Sequence, residues 1–469
     1  MTAADRVQTD GLPTPRRYWA ILAIALAIIM SVLDSSIANV ALPTIAGDLN
    51  ASPAASIWIV NAYQIAIVIS LLPLASLGEI VGYRRVSQVG LVVFTIASLA
   101  CALADSLATL SMARVLQGFG AAGIMSVNGA LVRFTYPQKL LGRAVGINAV
   151  VVAISAAVGP TIASAILAVG HWRWLFGINV PIGLLAIAIA SFALPYNDLA
   201  KRRLNLVGAL LNALTFGLLI TGLQALTHGG ARWLGVAEIV GGLVAGYLLV
   251  RRESSRPAPL VPVDLLRIRI FGLSVLTSIA SFAAQMLAFV SLPFDFQQRL
   301  GFDAVKTGLL MTPWPLAVAV AAPIAGRLAD RYPAGLLGAG GLGVFAAGLA
   351  LMAVLPAGAQ PVDIIWRMAI CGLGFGFFQS PNNRAMLGAA PLARAGAAGG
   401  MLGTARLIGQ SSGAVAVALL FALWPGQATT TSLALAAVVA VVAACLSGLR
   451  LVGPGDSAKP VPDAAGDIG

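Results

Sequence analysis

Asp34 is the only charged residue between Arg17 and Asp48. It stands in SVLDSSIANVALP (31–43), inside an apolar run that begins near Tyr18. A carboxylate at the centre of a membrane helix costs about 2.5–3.5 kcal/mol on insertion scales, and such acids mark proton relays and ion pathways. By helical spacing Ser31, Asp34, Ala38 and Ala41 share one small, polar face. The carboxylate is therefore expected to face a bundle interior or an aqueous cavity. Arg114 heads a second stripe, with Gln117, Ala121, Met125 and Asn128. Asp34 lies about six residues and Arg114 about seven from the same end of their runs, roughly 10 Å deep in each case. Matching depth allows a pair, direct or through water. Burial and a neighbouring guanidinium move a carboxylate's proton affinity in opposite directions. A cavity that opens and closes changes both, so a carboxylate of this kind can take a proton on one side of a membrane and release it on the other. A cation would compete with that proton.

Asp295 is the other acid of interest. FVSLPFDFQQRLG (289–301) sets it among Phe289, Phe294 and Phe296. Two readings fit. An acid among aromatics suits an organic cation through charge and cation–π contact. Alternatively, Asp295 pairs with Arg299, four residues on. Asn39, Tyr63, Gln285 and Asn382 join Gln117, Met125, Asn128 and Phe289 as candidates to line a cavity.

The elements that must position these groups are membrane helices. Of 469 residues, 59% are hydrophobic and 10% charged, whereas soluble domains run nearer a quarter charged. A spanning helix needs about 20 apolar residues. Reading between charge clusters and turn signals gives candidates near 18–40, 55–77, 85–104, 107–131, 143–169, 173–194, 205–227, 233–250, 271–298, 305–328, 335–355, 362–388, 395–423 and 427–450. The count is about fourteen. With the N-terminus inside, Lys and Arg fall on the inner loops roughly three times as often as elsewhere, as the positive-inside rule requires. Both termini are then expected in the cytoplasm, and the net charge of +12 is a topology signal rather than a nucleic-acid footprint. Cys101, Cys371 and Cys445 lie in apolar runs and read as small buried hydrophobes. No metal site or cofactor is expected.

Two polar segments, 197–203 and 251–269, divide the chain into six spans, two spans and six spans. The expected organisation is a cytoplasmic N-terminus (1–17), a six-helix bundle (18–196), two inserted helices (197–256), a second six-helix bundle (257–450) and a disordered cytoplasmic tail (451–469). An internal echo supports the repeat: ASLGEIVGYRR (75–85) follows the second span and GRLADRYPAG (326–335) the second span of the last block. Repeated halves around a midplane site are a transporter design.

Several stretches resemble the major facilitator superfamily, in its fourteen-helix drug:proton antiporter branch. They are LDSSIANVALP (33–43), ASLGEIVGYRRV (75–86), LSMARVLQGFGAAG (110–123), AAVGPTIASA (156–165), WRWLFGINVPIG (172–183) and SPNNRAMLGAAP (380–391). The match covers almost the whole chain. Departures are Ala75 for a leading Gly, Glu79 for an Asp, Pro333 for a Gly, and Ala163 and Ser164 where the antiporter motif has glycines. The resemblance implies an all-α major facilitator fold, export by alternating access, and a role for Arg114 in proton coupling. It also favours a gating role for Glu79, Arg84, Arg85, Asp330 and Arg331. Read from position alone, those charges at helix ends serve topology equally well. Gly159 and Pro160 are expected to break the fifth helix locally.

The expected protein is thus no enzyme. It is a proton-coupled multidrug exporter of amphipathic, cationic compounds in the inner membrane, monomeric, with the bilayer, protons and a small molecule as partners. The runner-up is an exporter of a neutral or anionic metabolite on the same fold. GFGAAG (118–123) matches a dinucleotide fingerprint only formally, since it lies inside a span with no strand before it. No P-loop pattern appears, so no ATP site is expected. His171 and His228 lack an acid or nucleophile pattern for hydrolysis.

Overall fold

The computed structural model describes residues 11–51, 56, 58–227, 232–254, 259, 261–302, 304–356, 358–424 and 427–451. The tail from 452 and His228 lie outside the described residues. In chain order the long helices are α1 (Arg16–Asp48), α2 (Trp58–Val81), α3 (Tyr83–Ala102), α4 (Leu107–Thr135), α5 (Leu141–Val169), α6 (Asn179–Ala193) and α7 (Leu206–Thr227). They continue with α8 (Arg232–Glu253), α9 (Arg269–Phe294), α10 (Pro313–Leu328), α11 (Ala334–Ala353), α12 (Pro361–Ala389), α13 (Ala395–Leu423) and α14 (Ala428–Gly448). Among the described residues, 13 helices are long and apolar enough to cross a membrane, and α7 adds a shorter apolar stretch over Leu206–Gly222. The expected tenth span is two pieces, Ala304–Met311 and Pro313–Leu328, because Pro313 restarts the helix after Thr312.

Sequence sets the ends. Ser106 caps α4 in a capping box with Thr109. Gly82, at φ 106°, lets α2 reverse into α3 through a single residue, a conformation that L side chains rarely adopt. The break expected at Gly159 and Pro160 does not appear. The helix α5 continues through both, since a proline within a spanning helix withdraws one donor and leaves the rest of the ladder intact. The Pro160 side chain lies outside the described residues.

The packing repeats. In the first half α1 packs on α5 and α6, α4 on α2 and α3, and α3 on α6. In the second half α9 packs on α13 and α14, α12 on α10 and α11, and α11 on α14. The halves meet through α5 against α10 and through α13 against α2 and α4. Glycines make the repeat exact at the backbone. A Cβ on Gly120 of α4 would stand 2.9 Å from the Gly90 carbonyl of α3, and one on Gly374 of α12 would stand 2.7 Å from the Gly341 carbonyl of α11. The inserted pair, α7 and α8, pack on each other, and α7 lies against α2, where Asn212 Nδ2 donates to the Ile69 carbonyl at 2.8 Å.

The start of α1 at Arg16 and the end of the described chain at Leu451 lie at one face of the bundle, called here the terminal face. The opposite face, where α1 ends at Asp48, is the distal face.

Candidate functional site

Asp34 and Arg114 meet inside the first half. Arg114 Nη1 donates to Asp34 Oδ2 at 2.5 Å, with both side chains at most 1% exposed. Asp34 Oδ1 accepts from Gln117 Nε2 at 2.8 Å and from Asn179 Nδ2 at 2.9 Å. Arg114 donates further to the Ile59 carbonyl (3.0 Å) and to Gln117 Oε1 (2.6 Å), and Gln117 is held by Ser98 Oγ at 2.9 Å. The guanidinium lies over the Tyr63 ring, 4.1 Å from its centroid, and the Tyr63 hydroxyl donates to the Ser31 carbonyl at 3.1 Å. Five helices, α1, α2, α3, α4 and α6, therefore converge on one carboxylate. All of its partners are donors, which suits an ionised acid that can only accept. A protonated Asp34 needs one donor withdrawn or an acceptor brought in. One guanidinium nitrogen, Arg114 Nη2, and Asn179 Oδ1 make no hydrogen bond among the described residues.

The second half shows that the fold does not require this cluster. Counting back equally from the paired glycines Gly120 and Gly374, Gln117 corresponds to Cys371 and Arg114 to Met368. Counting forward from Gly90 and Gly341, Ser98 corresponds to Leu349. Cys371, Met368 and Leu349 are fully buried in an apolar core with Trp314, Phe345 and Phe375. Burying an ion pair is often no better than well-packed apolar residues of similar volume. The polar cluster in the first half is thus an addition to a scaffold that stands without it.

The central cavity is a separate place. It has a free volume of about 110 Å³ and lies between the halves. Ser31 and Val32 of α1, Met125 and Asn128 of α4, Asn148 and Val152 of α5, Phe282 of α9, Gln379 and Asn383 of α12, and Leu402 and Arg406 of α13 line it. Asn128 Oδ1 and Arg406 Nε are buried there without a hydrogen-bond partner among the described residues. Of the expected lining residues, Met125 and Asn128 are in the wall. Tyr63 and Gln117 are not, because they serve the Asp34 cluster behind it. Asn382 points into the second half, where it donates to Ser278 Oγ at 2.8 Å and accepts from Arg450 at 2.9 Å; its neighbour Asn383 faces the cavity instead. Phe289 stacks edge-on against Trp314 at 4.8 Å, and the half-buried Gln285 is not in the wall, which α9 supplies through Phe282. The Asn39 side chain lies outside the described residues.

Asp295 also lies away from the wall. Both of its oxygens accept from Arg299, at 2.7 and 2.6 Å, and Arg299 is tied to the Leu355 carbonyl at 2.8 Å. Hydrogen bonding to Asp295, with its charge, holds the Arg299 guanidinium above the usual arginine range. The pairing with Arg299 is the arrangement found, one donor on each oxygen of Asp295.

The charges at the terminal face bridge the halves. Glu79 accepts from Arg394 (3.3 Å), from the Ala397 amide (2.8 Å) and from Arg202 of the 194–205 linker (2.5 Å). Arg84 and Arg85 are not its partners: Arg84 turns to the Ser191 and Leu194 carbonyls and stacks on Tyr196, and Arg85 reaches the Val81 carbonyl. Arg394 is clamped by Asp264 at 3.0 and 2.9 Å, and the Tyr83 hydroxyl accepts from the Gly396 amide at 2.8 Å. Asp330 pairs with Arg384 at 3.3 Å and accepts from the Gly142 amide at 3.2 Å, rather than meeting Arg331. Arg133 donates to the carbonyls of Leu387 and Ala390. The cross-half hydrogen bonds between described residues gather at this face. Trp172 is buried at 1% exposure and donates to Asp48 at 2.8 Å, while Trp174 is an exposed ring. Cys445 is exposed, unlike the other two cysteines.

Sequence reasoning looked for acids inside spans and passed over Arg406, although it is an arginine within the apolar run 395–423 with no acid near it. Gln379, Asn383 and Asn148 carried no signal beyond being polar in apolar runs.

Comparison with known proteins bears on the family and the fold. The family model described as Major Facilitator Superfamily matches residues 24–414. An uncharacterized transporter of Escherichia coli (strain K12), YebQ, is 57% identical over 451 residues, covering 96% of this chain and 99% of the relative. The tetracenomycin C resistance and export protein of Streptomyces glaucescens is 33% identical over 422 residues, covering 88% and 76%. Among solved structures, the human organic anion transporter MFSD10 (TETRAN) superposes with a TM-score of 0.70 at 12% identity, covering 93% of this chain and 100% of that one.

Proposed function

We propose that this chain, which belongs to the Major Facilitator Superfamily, is a proton-coupled exporter in which Asp34 exchanges the proton and Arg114 is its counter-charge. The coarser statement is secure: it is a multi-pass membrane transporter of a small molecule and not an enzyme. The observation that carries the finer one is the buried Asp34–Arg114–Gln117–Asn179 cluster, whose Arg114 and Gln117 positions are filled by the apolar Met368 and Cys371 in the other half. A buried charge the scaffold does not need has a use other than stability.

In this reading the terminal face is cytoplasmic, as the Lys/Arg distribution requires, and the bridges from Glu79 and Asp330 close it. Rocking of the halves breaks those bridges and opens the central cavity to the terminal face, where cargo loads; re-forming them returns the cavity to the distal side. Ser31 joins the two sites: it lines the cavity, and its carbonyl holds the Tyr63 hydroxyl beneath Arg114. Cargo in the cavity can thus shift Tyr63, and with it the donors around Asp34. The export direction is supported by the Streptomyces glaucescens relative, whose name states export. A cationic cargo, the first expectation, relied on Asp34 and Asp295. Neither lines the cavity and both are paired, so the neutral or anionic alternative fits the wall better.

The test uses vesicles holding wild type or Asp34→Asn. Wild type concentrates substrate when a proton gradient is imposed. Asp34→Asn keeps gradient-free exchange of substrate across the membrane and loses accumulation. Full proton-driven accumulation by Asp34→Asn would remove Asp34 from the role.

A further inference from the structure

Among the described residues that line the central cavity, Arg406 is the only ionisable side chain. Its Nε is buried with no hydrogen-bond partner among the described residues, and no described carboxylate forms an ion pair with it. A guanidinium held in a low-dielectric wall without a counter-charge is expensive. Arginine presents a planar fork matched to carboxylate-like groups. Around it stand amide side chains on two other helices, Gln379 and Asn383 of α12 and Asn148 of α5, and on α4 the unsatisfied Asn128 Oδ1. Ile28, Val32, Val152, Phe282 and Leu402 supply an apolar remainder of the wall. One fixed positive charge, a few amides and an apolar remainder describe a complement to an amphipathic anion.

We propose that the central cavity binds an amphipathic anion, an organic carboxylate or phenolate on an apolar frame, with Arg406 as its counter-charge and the amides of α12 as its hydrogen-bonding neighbours. This rests on the transport reading above and assigns its substrate class. The anion would satisfy the guanidinium that the protein leaves open. It would also speak to the proton site, since Ser31 lines the cavity and its carbonyl holds the Tyr63 hydroxyl beneath Arg114. The cavity is narrow with the terminal face bridged, so a drug-sized anion enters as the halves separate.

The experiment uses two dyes on one xanthene frame, anionic fluorescein and cationic rhodamine 6G, with the purified full-length protein in detergent and in vesicles. Binding is read by fluorescence polarisation and flux by proton-driven accumulation. Wild type binds fluorescein saturably and in preference to rhodamine 6G. Arg406→Gln weakens fluorescein binding roughly tenfold or more, the loss expected for one charge-assisted contact, and Arg406→Lys restores most of it. Circular dichroism and size-exclusion chromatography show that each variant is folded, and Asn383→Ala gives a second, milder weakening independent of the arginine. The assignment is overturned if wild type prefers the cation, if no saturable fluorescein binding is found, or if folded Arg406→Gln binds fluorescein like wild type. Binding without proton-driven flux would sink the transport reading and leave the cavity assignment standing. Proton-driven flux of rhodamine 6G alone would do the reverse.

Discussion

Asp34 and Arg114 meet at 2.5 Å behind the wall of the central cavity, not within it. The proton site and the cargo site are therefore two places, and coupling between them has to run through the side chains that separate them, above all Tyr63 and Ser31.

Removing one partner of the pair leaves the other charge buried. Arg114→Met alone is expected to destabilise the protein by about 3–5 kcal/mol, seen as a large fall in melting temperature in detergent. Combining it with Asp34→Leu imitates the apolar packing around Met368 and should recover most of that loss while abolishing proton-driven transport. A double variant no more stable than the single one would contradict the reading of the cluster as an addition to a self-sufficient scaffold.

Tyr63→Phe keeps the ring under Arg114 and deletes the hydroxyl that holds the Ser31 carbonyl. Stability should fall by only about 1 kcal/mol, but the ratio of protons moved to cargo moved should drop. Parallel measurement of pH change and cargo flux in vesicles reads this directly, and an unchanged ratio would mean the two sites communicate by another route.

Glu79 anchors three donors across the terminal face. Glu79→Gln removes the charge that Arg394 and Arg202 share, and should raise the labelling rate of a cysteine placed in the cavity by Val145→Cys severalfold. Labelling from the terminal face is the readout, in a Cys445→Ala background, with Cys101 and Cys371 too buried to interfere.

Asp295 is clamped by Arg299 and predicts a different pattern. Arg299→Ala should cost about 1–3 kcal/mol, since it strands a buried carboxylate, yet leave cargo affinity within twofold of wild type. A tenfold loss of affinity would return Asp295 to the list of cargo ligands.

Much of this was legible in the sequence, for identifiable reasons. Fourteen apolar runs gave the helices because the bilayer leaves backbone polar groups few alternatives. The depth of Asp34 and Arg114 followed from helical rise alone, and the pair formed. What distance along a chain cannot give is azimuth across a bundle. Gln117 and Asn128 lie on one stripe of α4, yet Gln117 turns to Asp34 and Asn128 to the cavity. Asn382 and Asn383 are adjacent and face opposite ways. The partners of Glu79 come from residues 202, 394 and 397, long-range choices that local charge patterns (Arg84, Arg85) could not reveal. Arg406 was overlooked because a lone arginine in a span resembles an exception to the charge rule until the wall around it is known.

At the seam the halves touch through backbone. A Cβ on Gly142 or Gly326 would strike the other helix's carbonyl, and one on Gly146 would stand 2.9 Å from the Ala322 carbonyl. That closeness gives the molecule a fulcrum. From Gly146 to the far end of α5 is about 34 Å of helix, so a tilt of about ten degrees there would sweep the distal tip through roughly 6 Å. Near the pivot the same tilt moves atoms by less than the play in a van der Waals contact. Leverage of this kind would let the distal mouth widen while the packing around the pivot stays as it is.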